Sequence, residues 1–95
     1  MKTFLVERDI GITSATDLSG LATTSLQVAD QMFADGDRIH YLGSAYLPQA
    51  GRCLCLFTAK NAEVVATHSR TARLPVQRIT DAVTLGALTT LGRAT

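Results

Sequence analysis

Apolar residues along this chain follow two rhythms, a period of two in four stretches and a spacing of three and four in two others. Residues 3–8 (Thr-Phe-Leu-Val-Glu-Arg) read as a first strand. Ser14 or Thr16 then caps a helix whose buried stripe is Leu18, Leu21, Ala22, Ser25, Ala29 and Phe33. Asp35-Gly36-Asp37 ends it, with Gly36 free to take the left-handed conformation that helix stops prefer. Residues 38–47 and 52–59 are a second and a third strand, joined by the hairpin loop Pro48-Gln49-Ala50-Gly51. Asn61 caps a second helix, Glu63 suits its positive end, and Ala62, Val65, Ala66, Ser69 and Ala72 form its inner stripe. Pro75 stops that helix, and residues 78–85 make a fourth strand. The order is the split arrangement of an α+β, ferredoxin-like βαββαβ domain, an antiparallel sheet with two helices on one face. The domain is expected over residues 1–85, with 86–95 a C-terminal tail or an extra short strand.

The strands carry a second message. The third has Leu54 and Leu56 on one face and Cys53, Cys55 and Phe57 on the other. Strict alternation in the second puts Ile39, Tyr41, Ala45 and Leu47 on one side, Leu42 and Tyr46 on the other. Phe4 and Val6 oppose Leu5 in the first. Both faces are apolar, yet two helices cover one. A sheet wetted on its far face would alternate apolar with polar more cleanly. A second copy of the chain is the expected cover, giving a homodimer of the dimeric α/β-barrel type.

At 95 residues, 46% of them hydrophobic and 18% charged, the chain is one globular domain. No apolar run approaches the ~20 residues of a membrane helix. Glu7, Arg8 and Asp9 interrupt the apolar start at Phe4-Leu5-Val6, so no secretory signal is expected and the cytoplasm is the expected location. The net charge of +1, and a basic cluster of only Arg70, Arg73 and Arg78, argue against nucleic acid as a partner.

Cys53 and Cys55, two apart on a strand, would be ~6.6 Å apart at Cα, the outer edge of disulfide reach. They read as buried thiols, and as two ligands they fall short of a structural zinc site. Pairing Leu47 with Arg52 sets Tyr46 opposite Cys53 and Ser44 opposite Cys55. That leaves His40 ~13 Å along the strand from Cys55, too far to share a metal. His40 instead follows Asp35 and Asp37, and imidazole with carboxylates is a donor set that nickel accepts. His68 reads as a surface or dimer-edge histidine. Glu7, near the end of a central strand, is a candidate general base or an ion-pair partner. Tyr41, Ser44 and Tyr46 could bind a ligand, but alternation sends Tyr41 to the opposite face from the other two. No nucleophile elbow, phosphate loop or redox motif is present.

Phe4-Leu5-Val6-Glu7-Arg8, Ser44-Ala45-Tyr46-Leu47-Pro48, Cys53 to Ala59, Asn61-Ala62-Glu63-Val64-Val65 and Leu74-Pro75-Val76-Gln77-Arg78-Ile79 together resemble a family of small bacterial ferredoxin-like proteins of unknown function. A nickel-binding dimeric member, thought to sequester or detoxify the metal, is known in it. Arg73 stands where that pattern has a glycine before Leu74-Pro75. The resemblance implies a non-enzymatic divalent-metal binder, with nickel the ion; it assigns no ligand, and His40 and Asp37 are the candidates from their closeness in sequence. The alternative is a cofactor-independent enzyme or small-molecule binder with a cavity at the dimer-facing sheet and Glu7 as base.

Overall fold

The computed structural model describes residues 1–85; the expectation for 86–95 lies outside them. The elements run β1 (Lys2–Asp9), α1 (Ala15–Ala34), β2 (Ile39–Leu47), β3 (Arg52–Ala59), α2 (Ala62–Ala72) and β4 (Arg78–Ala82). The strands form one antiparallel sheet in the order β2-β3-β1-β4. This is the ferredoxin-like α+β topology, with β1 and β3 central.

Local chemistry sets the element ends. The Ser14 side chain accepts from the Asp17 backbone N–H, and Asp17 lies in the positive first turn of α1. Gly36, at φ 99°, follows the last turn. Asn61 accepts from the Val64 N–H at 3.0 Å and so caps α2. Arg73 closes α2 in the left-handed conformation, φ 58° and ψ 42°, while the Leu74 N–H returns to the Ser69 carbonyl at 3.0 Å. Strand β4 ends at Ala82 rather than at residue 85, because Ala82 already pairs with Thr3 and β1 has almost no ladder left to offer.

Phe4, Val6, Ile39, Cys53, Cys55, Phe57 and Ala59 from the sheet pack against Ala29 and Met32 of α1 and Val65 of α2. Met32 takes the core place expected of Phe33, which is 44% exposed. The opposite face carries Leu5, Leu42, Ala45, Leu54 and Leu56, which line an open apolar groove of about 440 Å³.

Strict alternation along β2 fails at one point. The hairpin pairs Leu47 with Arg52, Tyr46 with Cys53 and Ser44 with Cys55, as loop length dictates. A β-bulge between Tyr41 and Gly43 then inserts one residue, so that Tyr41 pairs with Phe57 and Gly43 with Leu56. Gly43 takes φ 142°, open to glycine and rarely adopted by other residues. The extra residue reverses the face of everything beyond it. Ile39, Tyr41, Ser44 and Tyr46 therefore share the helix-covered face, and the expectation that Tyr41 opposes Ser44 and Tyr46 is corrected.

Candidate functional site

The bulge assembles a polar floor beneath α1. The Tyr41 hydroxyl and Ser44 Oγ are 2.5 Å apart, and Ser44 donates to the Cys55 thiol at 3.0 Å. With the Ser44 proton committed to sulfur, Tyr41 is the donor in the first contact. The sulfurs of Cys53 and Cys55 lie 3.8 Å apart and both thiols are free. Burial, then the neighbouring Cys55, pushes the Cys53 thiol up to about 11, and burial raises the Tyr41 phenol as well. Both stay neutral at physiological pH. Tyr41, Ser44, Tyr46 and Cys53 face Leu18, Leu21 and Ala22 of α1 across a cavity of about 360 Å³.

Next to this floor is a residue that sequence inspection passed over. Arg8 pairs across the sheet with Cys53, which pairs in turn with Tyr46, so the three form one row. Arg8 is fully buried. Its Nη1 donates to Ser69 Oγ at 3.1 Å and to the Pro75 carbonyl at 2.9 Å, while Nε and Nη2 have no partner among the described residues. Parity was the available signal: Phe4 and Val6 face the helices, so Arg8, two further on, does too.

His68 is likewise buried, not a surface or edge residue. On α2 it follows Val65 by three, which keeps it on the inner face. Its ring packs on Phe57 with centroids 4.6 Å apart. Nε2 lies 2.9 Å from the Ser25 carbonyl, an acceptor, so Nε2 carries the proton and Nδ1 is an acceptor without a partner among the described residues. Burial lowers its pKa below the ordinary value, with a smaller push from Arg8.

The residues singled out from sequence lie elsewhere. His40 is exposed on edge strand β2, its ring 5.0 Å from that of Phe33. Asp37 follows Gly36 in the helix-to-strand turn and shares a surface depression with Lys2, Arg38 and Lys60. On its other side it borders Asp35, Gln27 and Gln31. Imidazole and carboxylate are suitable nickel donors, but among the described residues no three His, Cys, Asp or Glu side chains converge as a metal cluster. Within the described residues of one chain, His40 and Asp37 are donors of the right type without a third beside them. Glu7 sits between Arg52 at 3.7 Å and Arg78 at 3.5 Å. Its strand neighbours Val6 and Arg8 face the helices, so Glu7 lies on the other face, away from the polar cavity. There it is an ion-pair partner.

The fold alone defines a ferredoxin-like α+β protein. The family described as "Nickel responsive protein SCO4226-like" matches residues 4–81, and the chain belongs to it. Among solved structures it is similar to SCO4226 from Streptomyces coelicolor A3(2), with a TM-score of 0.75 and 16% identity over 88% of this chain and 99% of that one. No curated protein matches the sequence.

Proposed function

We propose that this protein binds nickel in the cytoplasm as a homodimer, serving to sequester the ion. Membership of a nickel-responsive family carries the reading. His40 supplies an exposed imidazole, and Asp37 a carboxylate in the turn just before β2. Because the described residues of one chain bring no three converging donors, the coordination sphere is completed by the second copy, which the apolar outer face accommodates. Calorimetric titration of untagged protein with nickel tests this. Nickel should bind more tightly than manganese and more weakly than copper, following the usual order for nitrogen and oxygen sites. His40→Ala should weaken binding, whereas His68→Ala should not, since the His68 ring is enclosed by Phe57 and Ser25. Absence of nickel heat in the wild type would remove the proposal.

A further inference from the structure

Cys53 and Cys55 are the chain's only cysteines, and the function proposed above leaves both idle. Their side chains emerge two residues apart on one face of β3, which brings the sulfurs to 3.8 Å with no disulfide between them. Two sulfurs held by one ion at the ~2.3 Å of a metal–thiolate bond lie ~3.8 Å apart at a tetrahedral angle and ~4.6 Å apart when collinear. The pair already stands at the near end of that range, and small χ1 rotations reach the rest. Among the described residues no third sulfur, imidazole or carboxylate joins them. The Ser44 hydroxyl lies against Cys55, and the Tyr41 hydroxyl against Ser44. Neutral hydroxyls are poor donors to a divalent ion that wants four ligands, so the pair suits an ion satisfied by two.

A path and a counter-charge are both present. Cys53 forms part of the wall of the chamber of about 360 Å³ beneath α1, and so does Ser44, whose hydroxyl donates to Cys55. An ion entering the chamber meets Cys53 directly and reaches Cys55 once that hydroxyl turns aside. Arg8, buried and without an ion pair among the described residues, pairs across the sheet with Cys53 on the helix-covered face. A monovalent ion on two thiolates carries one net negative charge, opposite in sign to the guanidinium. Compensation between such cross-strand neighbours acts through a weakly polarisable interior and requires no contact.

We propose that Cys53 and Cys55 form a two-coordinate thiolate site for a monovalent soft ion, copper(I) in kind, reached from the chamber beneath α1. Soft thiolates select copper(I), zinc and iron–sulfur clusters, and of these copper(I) alone is satisfied by two sulfurs. On binding, each thiol releases its proton to solvent and forms one metal–sulfur bond; the ion stays monovalent and no electron moves. The site is distinct from the nickel site proposed at His40 and Asp37, and either can fail without the other.

Untagged full-length protein, reduced and kept from air, tests this with copper(I) delivered from a coloured chelator and with silver(I) in chloride-free buffer as a redox-inert probe. One tight equivalent of either ion should load per chain with the far-ultraviolet circular dichroism unchanged, and zinc should displace neither. X-ray absorption of the copper-loaded wild type should show two sulfur neighbours and no nitrogen or oxygen. Cys53→Ala and Cys55→Ala should each weaken both ions by more than about a hundredfold, beyond the loss that removing a supporting residue causes, and should leave the nickel heats as in the wild type. The absorption measurement decides the matter if the cysteine variants do not fold. Failure of the folded wild type to take either ion, one sulfur neighbour or none, undiminished binding in either variant, or loading only with loss of the folded signal would each overturn it.

Discussion

At the scale of single residues, Arg73 is the clearest departure from local preference. A residue with a Cβ in the left-handed region costs about 1–2 kcal/mol relative to the right-handed helix, and glycine escapes that cost. Arg73 is exposed, and its backbone holds φ 58° at the end of α2. Arg73→Gly should therefore raise stability by about 1 kcal/mol, read as a higher urea midpoint with unchanged slope. A drop would mean that the arginine side chain contributes more than the strain removes. His68 makes a second prediction, of pH dependence. Its folded pKa is depressed by burial, and Arg8 nearby acts in the same direction. In the unfolded chain a histidine takes up a proton near ~6.5, so below that pH the unfolded state binds more protons than the folded one. The stability linked to His68 is complete above ~6.5 and drains away as pH falls from there toward the lower folded value. Denaturation between pH 7.5 and 5 should show this loss in the wild type and a flatter profile in His68→Gln. Parallel profiles would exclude the residue as the source.

At the scale of elements, the bulge in β2 decides which side chains can meet. Element order, the Asn61 cap of α2, the hairpin loop and the register from Leu47–Arg52 back to Ser44–Cys55 were legible, because turn length and capping chemistry are local. The α1 cap was narrowed to Ser14 or Thr16, of which the structure uses Ser14. The reversal at Tyr41 was not legible, since one inserted residue leaves the hydrophobic pattern of an apolar strand nearly unchanged. Gly43 was its single trace: glycine weakens a strand and recurs where a bulge needs an unusual φ. Arg8 and His68 escaped for a related reason, in that charge and polarity suggested surface while parity and helical spacing placed both inside. The metal candidates were chosen from closeness in sequence, and such spacing says little about convergence in space. Gly43→Val should be costly, by about 1–3 kcal/mol from backbone strain alone. It should also disturb the Tyr41–Ser44 contact, which near-ultraviolet circular dichroism of the tyrosines would report. A variant as stable as the wild type would show that β2 accepts the bulge without a glycine.

At the scale of the whole molecule, the helices cover one face of the sheet and leave Leu5, Leu42, Ala45, Leu54 and Leu56 on the other. Among the described residues no helix is long and apolar enough to cross a membrane. In the proposed homodimer that outer face is buried against its copy. Leu54→Asp should split the dimer yet leave the monomer folded, by light scattering and far-ultraviolet circular dichroism. Phe57→Asp, by contrast, should unfold the chain, because Phe57 is fully buried beneath the helices. A monomeric wild type at micromolar concentration would show that the outer face needs no second copy. The bulge bears on association in a further way. Strands β2 and β4 are the borders of the sheet, where unpaired backbone groups invite any extended chain to add on. Strand β4 is only 5 residues long, and β2 is kinked at Gly43 near its middle. Neither border presents a long flat ladder, so growth by strand addition is discouraged at both ends. In the proposed homodimer, stacking sheet on sheet would thereby stay finite: the two chains would satisfy each other, and open-ended cross-β fibres would be resisted at their starting points.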